Sequence, residues 1–188
     1  MARVNASQMK SRIQEKYNTE FVPKLVEQFS YKNVNEVPRL DKITLSMGIG
    51  KAIENNKRID AAVKDLAIIA GQKPVVTQAK TSVAGFKLRE GVAVGAKVTL
   101  RGTRMYEFLD RLINLAIPRI RDFRGFPTRS FDGTGNYSLG LAEQLVFPEI
   151  NIDEVEFVQG LNVTLTIDRS TDEESQALLG LFGFPFRK

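Results

Sequence analysis

The chain has 188 residues, is 43% hydrophobic and 26% charged, and contains no Cys, His or Trp. It is long enough to bury a core without covalent staples, and its composition excludes disulfides, thiolate or imidazole metal ligands, cysteine nucleophiles and Ser-His chemistry. The net charge of +5 hides an uneven distribution: residues 1–70 carry +4, residues 71–129 carry +8 and residues 130–188 carry −7. A basic middle suits a phosphate backbone, and an acidic end suits a basic protein.

The length favours one domain over residues 1–188, with an N-terminal helical segment 1–35 packed on the body. No apolar run approaches the ~18 residues of a membrane span. The first ten residues contain no apolar leader segment, so the expectation is a cytoplasmic protein with no membrane partner.

Ser7 is a candidate cap for a first helix in which Met9, Ile13, Tyr17 and Phe21 recur every four residues. Pro23 should kink or split it, and Leu25, Val26 and Phe29 continue its apolar face. Residues 42–47 alternate as a strand, with Ile43, Leu45 and Met47 inward and Lys42, Thr44 and Ser46 outward. Residues 57–70 read as a helix with a stripe of Ile59, Val63, Leu66 and Ile69 or Ala70, ended by Gly71. Residues 74–78 form a short strand, 79–85 a small-residue polar loop, and Phe86 to Arg89 a return strand. In the strand over 92–101, Lys97, Thr99 and Arg101 face outward.

Thr103 should cap a helix carrying Met105, Phe108, Leu109, Leu112 and Ile113, ended at Pro118. Residues 119–136 read as a loop, followed by an edge strand at 137–139 and a final strand at 161–167. Thr171 to Glu174 is a capping box, opening a helix with Ala177, Leu178, Leu181 and Phe182 on its stripe. Strands with one polar face and interspersed amphipathic helices make an α+β fold: an antiparallel sheet with helices packed on one face and the other face open. The open face, built from Lys, Arg, Ser, Thr and Asn, offers donors to RNA 2′-hydroxyls and phosphates, although Thr is also ordinary strand surface.

Gly48 and Gly50 follow a strand, but Ile53 stands where a dinucleotide fingerprint needs its third Gly, and Gly50-Lys51-Ala52 is not a phosphate loop. Lys80, Thr81, Ser82 and Gly85 give residues 79–85 the chemistry of a reach-out loop. Arg119, Arg121, Arg124 and Arg129 interleave with Phe123, Phe126 and Phe131. That pattern is the strongest local signal in the chain, since cations beside aromatic faces can bind phosphate and stack bases; the alternative is a loop pinned to the core by Phe. Glu149, Asp153, Glu154 and Glu156 form an acidic cluster without metal-ligand spacing. No cofactor and no metal are implied. The alternatives to a structural RNA-binding role are a free RNA chaperone or regulator and a nucleotide-dependent enzyme using Gly48, Gly50 and Lys51.

Several blocks together carry a resemblance: Gly71 to Pro74, Lys80 to Lys87, Val98 to Gly102, Pro118 to Gly125, Ser130 to Gly133, Gly135 to Tyr137 and the terminal Phe184 to Lys188. In order and over nearly the whole chain, the sequence resembles the bacterial large-subunit ribosomal protein five family. The resemblance implies a non-catalytic protein of the large subunit that binds 5S rRNA beside 23S rRNA in the central protuberance. It implies large-subunit proteins eighteen and twenty-five as neighbours, a loop touching peptidyl-site tRNA, and a bridge to small-subunit protein thirteen. Family RNA contacts map to Ser46, Gln72 and Thr99, with Lys42, Thr44, Lys97 and Arg101 around them. Relatives usually carry Asn at the first position; Ser46 lacks the amide, and a water would complete that contact. The tRNA loop maps to residues 73–85, with Lys73, Gln78, Lys80, Thr81, Ser82 and Gly85 as contacts. The bridge maps to Arg111 and Arg121, and to Glu143, Glu149 and Asp153.

Overall fold

The computed structural model describes residues 11–187. Its centre is a five-stranded antiparallel sheet of β1 (Arg39–Gly48), β2 (Val75–Gln78), β3 (Ala93–Leu100), β4 (Tyr137–Leu141) and β5 (Leu161–Asp168), in the order β2-β3-β1-β5-β4. Period-two burial follows the sequence: Ile43, Leu45 and Met47, then Ala96, Val98 and Leu100, then Leu161, Val163, Leu165 and Ile167 are buried, with exposed or half-exposed residues between them. The fold is α+β, as the pattern indicates. No helix among the described residues is long and apolar enough to cross a membrane.

The chain divides into two compact units. One comprises the chain up to Ile43, Arg101–Ser138 and the stretch from Thr164 onward; the other comprises Thr44–Leu100 and Leu139–Val163.

In the first unit, α1 (Arg12–Lys16) is capped by Ser11, whose Oγ accepts a hydrogen bond from the Gln14 backbone N–H at 3.2 Å. The expected cap Ser7 and stripe residue Met9 lie outside the described residues. A π turn at Tyr17–Phe21 then leads into α2 (Val22–Phe29), with Pro23 in its first turn. Proline has no N–H to donate and its ring crowds the preceding turn, so widening that turn is how the chain splits the helix without ending it. Ile13, Tyr17, Phe21 and Leu25 form the buried stripe. The Tyr17 hydroxyl donates to the Pro38 carbonyl at 2.9 Å, and burial pushes its pKa up to about 12.

The helix α4 (Gly102–Arg111) starts at an uncapped Arg101, not at Thr103, which falls inside the first turn. Gly102, at φ +59°, turns the chain into the helix one residue before the hydroxyl could cap it. A π turn at Leu112–Ala116 and a 3-10 turn at Ile117–Arg119 carry the chain to Pro118 and out of the helix. The capping box at Thr171 and Glu174 opens α5 (Asp172–Leu181) as expected. Within this unit α1 packs against α4 and α2 against α5, and Phe182 meets the rings of Tyr17, Phe21 and Tyr106.

In the second unit, α3 (Lys57–Ala70) packs on β3 and ends at Gly71, which takes the left-handed conformation at φ +61°. Strand β2 pairs antiparallel with β3, Val75 opposite Lys97 and Thr77 opposite Gly95. Gly95 is required where it stands. A Cβ there would lie 2.4 Å from the Met47 carbonyl oxygen and 3.1 Å from Thr77 Oγ1, so only glycine lets β1 approach β3 at that point. Residues 143–159 contain only short 3-10 turns, at Gln144–Val146 and Ile152–Glu154. The fully buried Gln144 organises them: its amide donates to the Phe157 carbonyl at 2.8 Å and to Asp65 at 3.3 Å, and its Oε1 accepts from the Gln159 N–H at 2.6 Å. Burial raises the Asp65 pKa, and the Gln144 hydrogen bond opposes that rise.

Candidate nucleic-acid interface

The sequence-named contacts Thr44, Ser46, Gln72, Lys97 and Thr99 all belong to the second unit. Alternation puts Thr44 and Ser46 on the non-core side of β1, half-buried, and Lys97 and Thr99 on that of β3, exposed. The hydroxyls of Thr44, Ser46 and Thr99 and the Lys97 ammonium make no hydrogen bond or ion pair among the described residues. Gln72 reaches the same strand for a local reason. The left-handed Gly71 turns the chain from α3 towards β2, and the Gln72 amide then donates to the Thr99 carbonyl oxygen at 3.4 Å. That single long bond brings together two of the three family positions and leaves the Gln72 carbonyl and its second amide proton available. The surface is a row of unsatisfied donors and acceptors beside one cation, the arrangement that fixes register on a sugar-phosphate backbone.

Lys42 and Arg101 fall in the first unit. Lys42 is half-buried, and Arg101 is committed to Asp41 at 2.7 Å, an exposed pair. In that unit Ser138 and Thr164 also bond each other, at 3.1 Å. Their hydroxyls are therefore partly used inside the protein, unlike those of Thr44, Ser46 and Thr99.

Residues 73–85 form an arm that extends the sheet. The β2-β3 ladder continues beyond the strands through Ala79 N–H to the Val92 carbonyl at 2.8 Å and Gly91 N–H to the Ala79 carbonyl at 3.0 Å. Ser82 Oγ accepts from the Glu90 N–H at 2.9 Å and so ties the arm just below its tip. The expected return strand at 86–89 is absent. One antiparallel bridge joins Val83 to Leu88, a 3-10 turn covers Ala84–Phe86, and Lys87 sits in the left-handed region at φ +52°. A strand cannot pass through a left-handed residue, so the chain bends tightly and leaves Phe86 76% exposed. Lys73, Gln78, Lys80, Thr81, Ser82 and Gly85 are all exposed. Phe86 is a further candidate contact that pattern reading absorbed into a strand; a lone aromatic inside a Gly- and Lys-rich polar loop was the available signal.

The basic, aromatic segment 119–131 resolves in favour of a pinned loop. Phe123 packs edge-on to Phe126, Phe126 stacks on Phe184, and Phe131, Tyr137, Phe184 and Phe186 complete one ring cluster. The terminal segment is strapped to it by Phe126 N–H to the Pro185 carbonyl at 2.9 Å and Arg187 N–H to the Phe126 carbonyl at 2.8 Å. The rings pack on one another, Phe126 and Phe184 buried and Phe123, Phe131 and Phe186 half-buried, while Arg119, Arg121, Arg124 and Arg129 remain exposed. Behind this cluster Asp132 accepts from the N–H groups of Thr134 and Asn136 at 2.9 and 3.0 Å and from the Asn136 amide at 2.8 Å. These bonds, that from the Asn136 amide first, hold its pKa down to about 2.

The bridge candidates divide between the units. Arg111 lies 5.9 Å from the Phe108 ring centre and Arg121 is exposed, both in the first; Glu143 and Asp153 are exposed and Glu149 half-buried, all in the second. Their neighbour Glu154 is paired with Lys64 at 3.2 Å. The rejected phosphate-loop reading also has a structural counterpart. Gly50–Ile53 forms a 3-10 turn, and α3 begins only at Lys57, so no helix N-terminus follows the Gly-Lys pair.

Residues 33–89 match the family described as ribosomal protein L5, and residues 93–186 match the model of that ribosomal family's C-terminus. Two curated relatives from Streptococcus pneumoniae strains, both named large ribosomal subunit protein uL5, are each 58% identical over 180 residues, covering 96% of this chain and 100% of the relative. Together with the fold, the open polar sheet face and the basic arm, these matches settle the kinship: the chain belongs to the ribosomal protein L5 family.

Proposed function

We propose that this structural constituent of the large ribosomal subunit, on cytoplasmic ribosomes, binds 5S rRNA through the face bearing Thr44, Ser46, Gln72, Lys97 and Thr99. The protein has no catalytic task. The hydroxyls and the Gln72 amide bond to ribose and phosphate oxygens, and Lys97 neutralises phosphate. Lys42 and Arg101 add positive charge, Arg101 at the expense of its pair with Asp41. The same reading gives 23S rRNA and large-subunit proteins eighteen and twenty-five as neighbours in the central protuberance. The arm over 73–85 touches peptidyl-site tRNA through Lys80, Thr81 and the residues around them. Arg111, Arg121, Glu143, Glu149 and Asp153 serve the bridge to small-subunit protein thirteen.

The observation that carries this reading is the set of hydroxyls on β1 and β3 without intramolecular partners, joined by the Gln72 bond to Thr99. Ordinary strand surface offers isolated threonines; here the donors converge on one face beside a cation. The test is a gel-shift titration against 5S rRNA, with bulk tRNA as competitor and salt varied. Binding should survive the competitor. Thr99→Ala should weaken it roughly 2- to 12-fold, the worth of one neutral hydrogen bond at about 0.5–1.5 kcal/mol, with an unchanged melting temperature. Unchanged affinity would remove Thr99 from the site, and loss of all binding to competitor would leave only a generic polyanion surface.

A further inference from the structure

We propose that the arm holds one unstacked base of a single-stranded RNA in the groove beneath it, stacked against Phe86. The groove measures about 420 Å³, with an apolar wall of Ile53, Val83, Phe86 and Leu88 and a polar rim of Lys80 and Thr81. That volume lies within the roughly 300–1,000 Å³ of sites that take small organic groups, and apolar walls with a few polar atoms at the rim are their usual chemistry. All of these residues belong to the second unit.

Charge identifies the occupant. Residues 73–89 carry Lys73, Lys80, Lys87 and Arg89 and no acidic residue. None of the four makes an ion pair among the described residues, whereas Arg12, Arg39, Lys64 and Arg101 each face a carboxylate. An apolar slot with the unpaired Lys80 at its rim, on a segment that carries three more unpaired cations, fits a planar apolar group attached to anions, which describes a nucleobase on its phosphate backbone. Phe86, 76% exposed, presents the ring face such a base stacks on. The occupant is single-stranded because a duplex keeps its bases stacked inside the helix, out of reach of a groove. The arm itself supports insertion: Ser82 and the Val83–Leu88 bridge hold the turn that projects Phe86.

This inference rests on the reading of residues 73–85 as an RNA-contacting loop. It is tested by titrating the full-length protein with a short oligouridylate carrying one 2-aminopurine, and with the same strand made abasic at that position. Binding should quench the 2-aminopurine, and the base-bearing strand should bind about 10-fold tighter, as one aromatic stack allows. Phe86→Ala should abolish both effects with no change in salt dependence. Gly50→Leu, which fills the groove from a position with open space beside it, should do the same while leaving Phe86 in place. Lys80→Gln should lower the slope of log K against log salt by about 0.7, one phosphate of a single strand. Equal affinity for the two strands, with Lys80→Gln still weakening both, would overturn the base site and leave the RNA-contacting loop standing. No quenching and no Lys80 effect would overturn both.

Discussion

Two basic, aromatic segments of this chain look alike as strings of letters and do opposite things. In 119–131 the phenylalanines turn inward, pack on Phe184 and Phe186 and fasten the C-terminal segment. In 79–88 the one phenylalanine has no ring neighbour among the described residues and stands in solvent. Cations beside aromatics are therefore not a recognition signal by themselves. What separates the two cases is whether another part of the chain supplies partners for the rings, and only the first has a terminal Phe-Pro-Phe segment to supply them.

The sharpest way to break that contrast is truncation on each side of it. Phe126→Ala should cost about 3 kcal/mol or more of stability in urea unfolding, because it empties a buried ring position. Phe86→Ala should stay within about 0.5 kcal/mol of the parent, as exposed substitutions do. Comparable costs would mean that Phe86 is part of a core and is no contact residue. A second probe asks whether the strand beneath the arm is as tightly built as the ring cluster. Gly95→Ala should cost about 1–3 kcal/mol, since the Met47 carbonyl it would strike is held in the sheet and cannot swing away. Hydrogen exchange should then show β2 and β3 losing protection first.

The smallest effect concerns pH and belongs to the turn behind the ring cluster. The Asp132 carboxyl is held down to about 2 from its ordinary 3.8, first by the Asn136 amide and also by Thr134, with burial opposing them. A group whose folded pKa is depressed stabilises the protein above its unfolded value and loses that contribution as pH falls through the folded one. The parent should thus lose melting temperature between about pH 4 and about pH 2, while Asp132→Ala, lower at neutral pH, should lose less over that window. Parallel curves would show that the hydrogen bonds to Asp132 are no stronger folded than unfolded.

Much of the fold was legible in the sequence because its strands have one wet face. Ile43, Leu45 and Met47 announce β1 through period two, and Gly71 marks the end of α3 to the residue. The capping box at Thr171 does the same for α5. Other features left no such mark. The π turn at Tyr17–Phe21 keeps the same apolar spacing as the α-helix around it, so only the need to relieve Pro23 reveals it. The span 86–89 contains alternating apolar and polar residues and so imitates a strand, and nothing in its letters says that Lys87 adopts a left-handed conformation. At the interface, alternation exposed Thr44, Ser46, Lys97 and Thr99 as one wet surface. The meeting of Gln72 with Thr99 depends on a turn geometry that spacing does not encode, and the resemblance to a family, not periodicity, singled out that pair.

Gln144 has a consequence for how the molecule breathes. Residues 143–159 have no long helix or strand, and three of their hydrogen bonds pass through this one buried amide, with Gln159 to the Gly48 carbonyl and Arg58 over the Phe157 ring as further tethers. Phe147 and Ile150 add buried anchors, and Glu154 pairs with Lys64. A segment with no long helix or strand of its own is thus fastened by side chains, and removing the Gln144 amide should let it open as one small unit below the free energy of global unfolding. In Gln144→Ala a protease should therefore cut this most acidic part of the chain before it reaches β3.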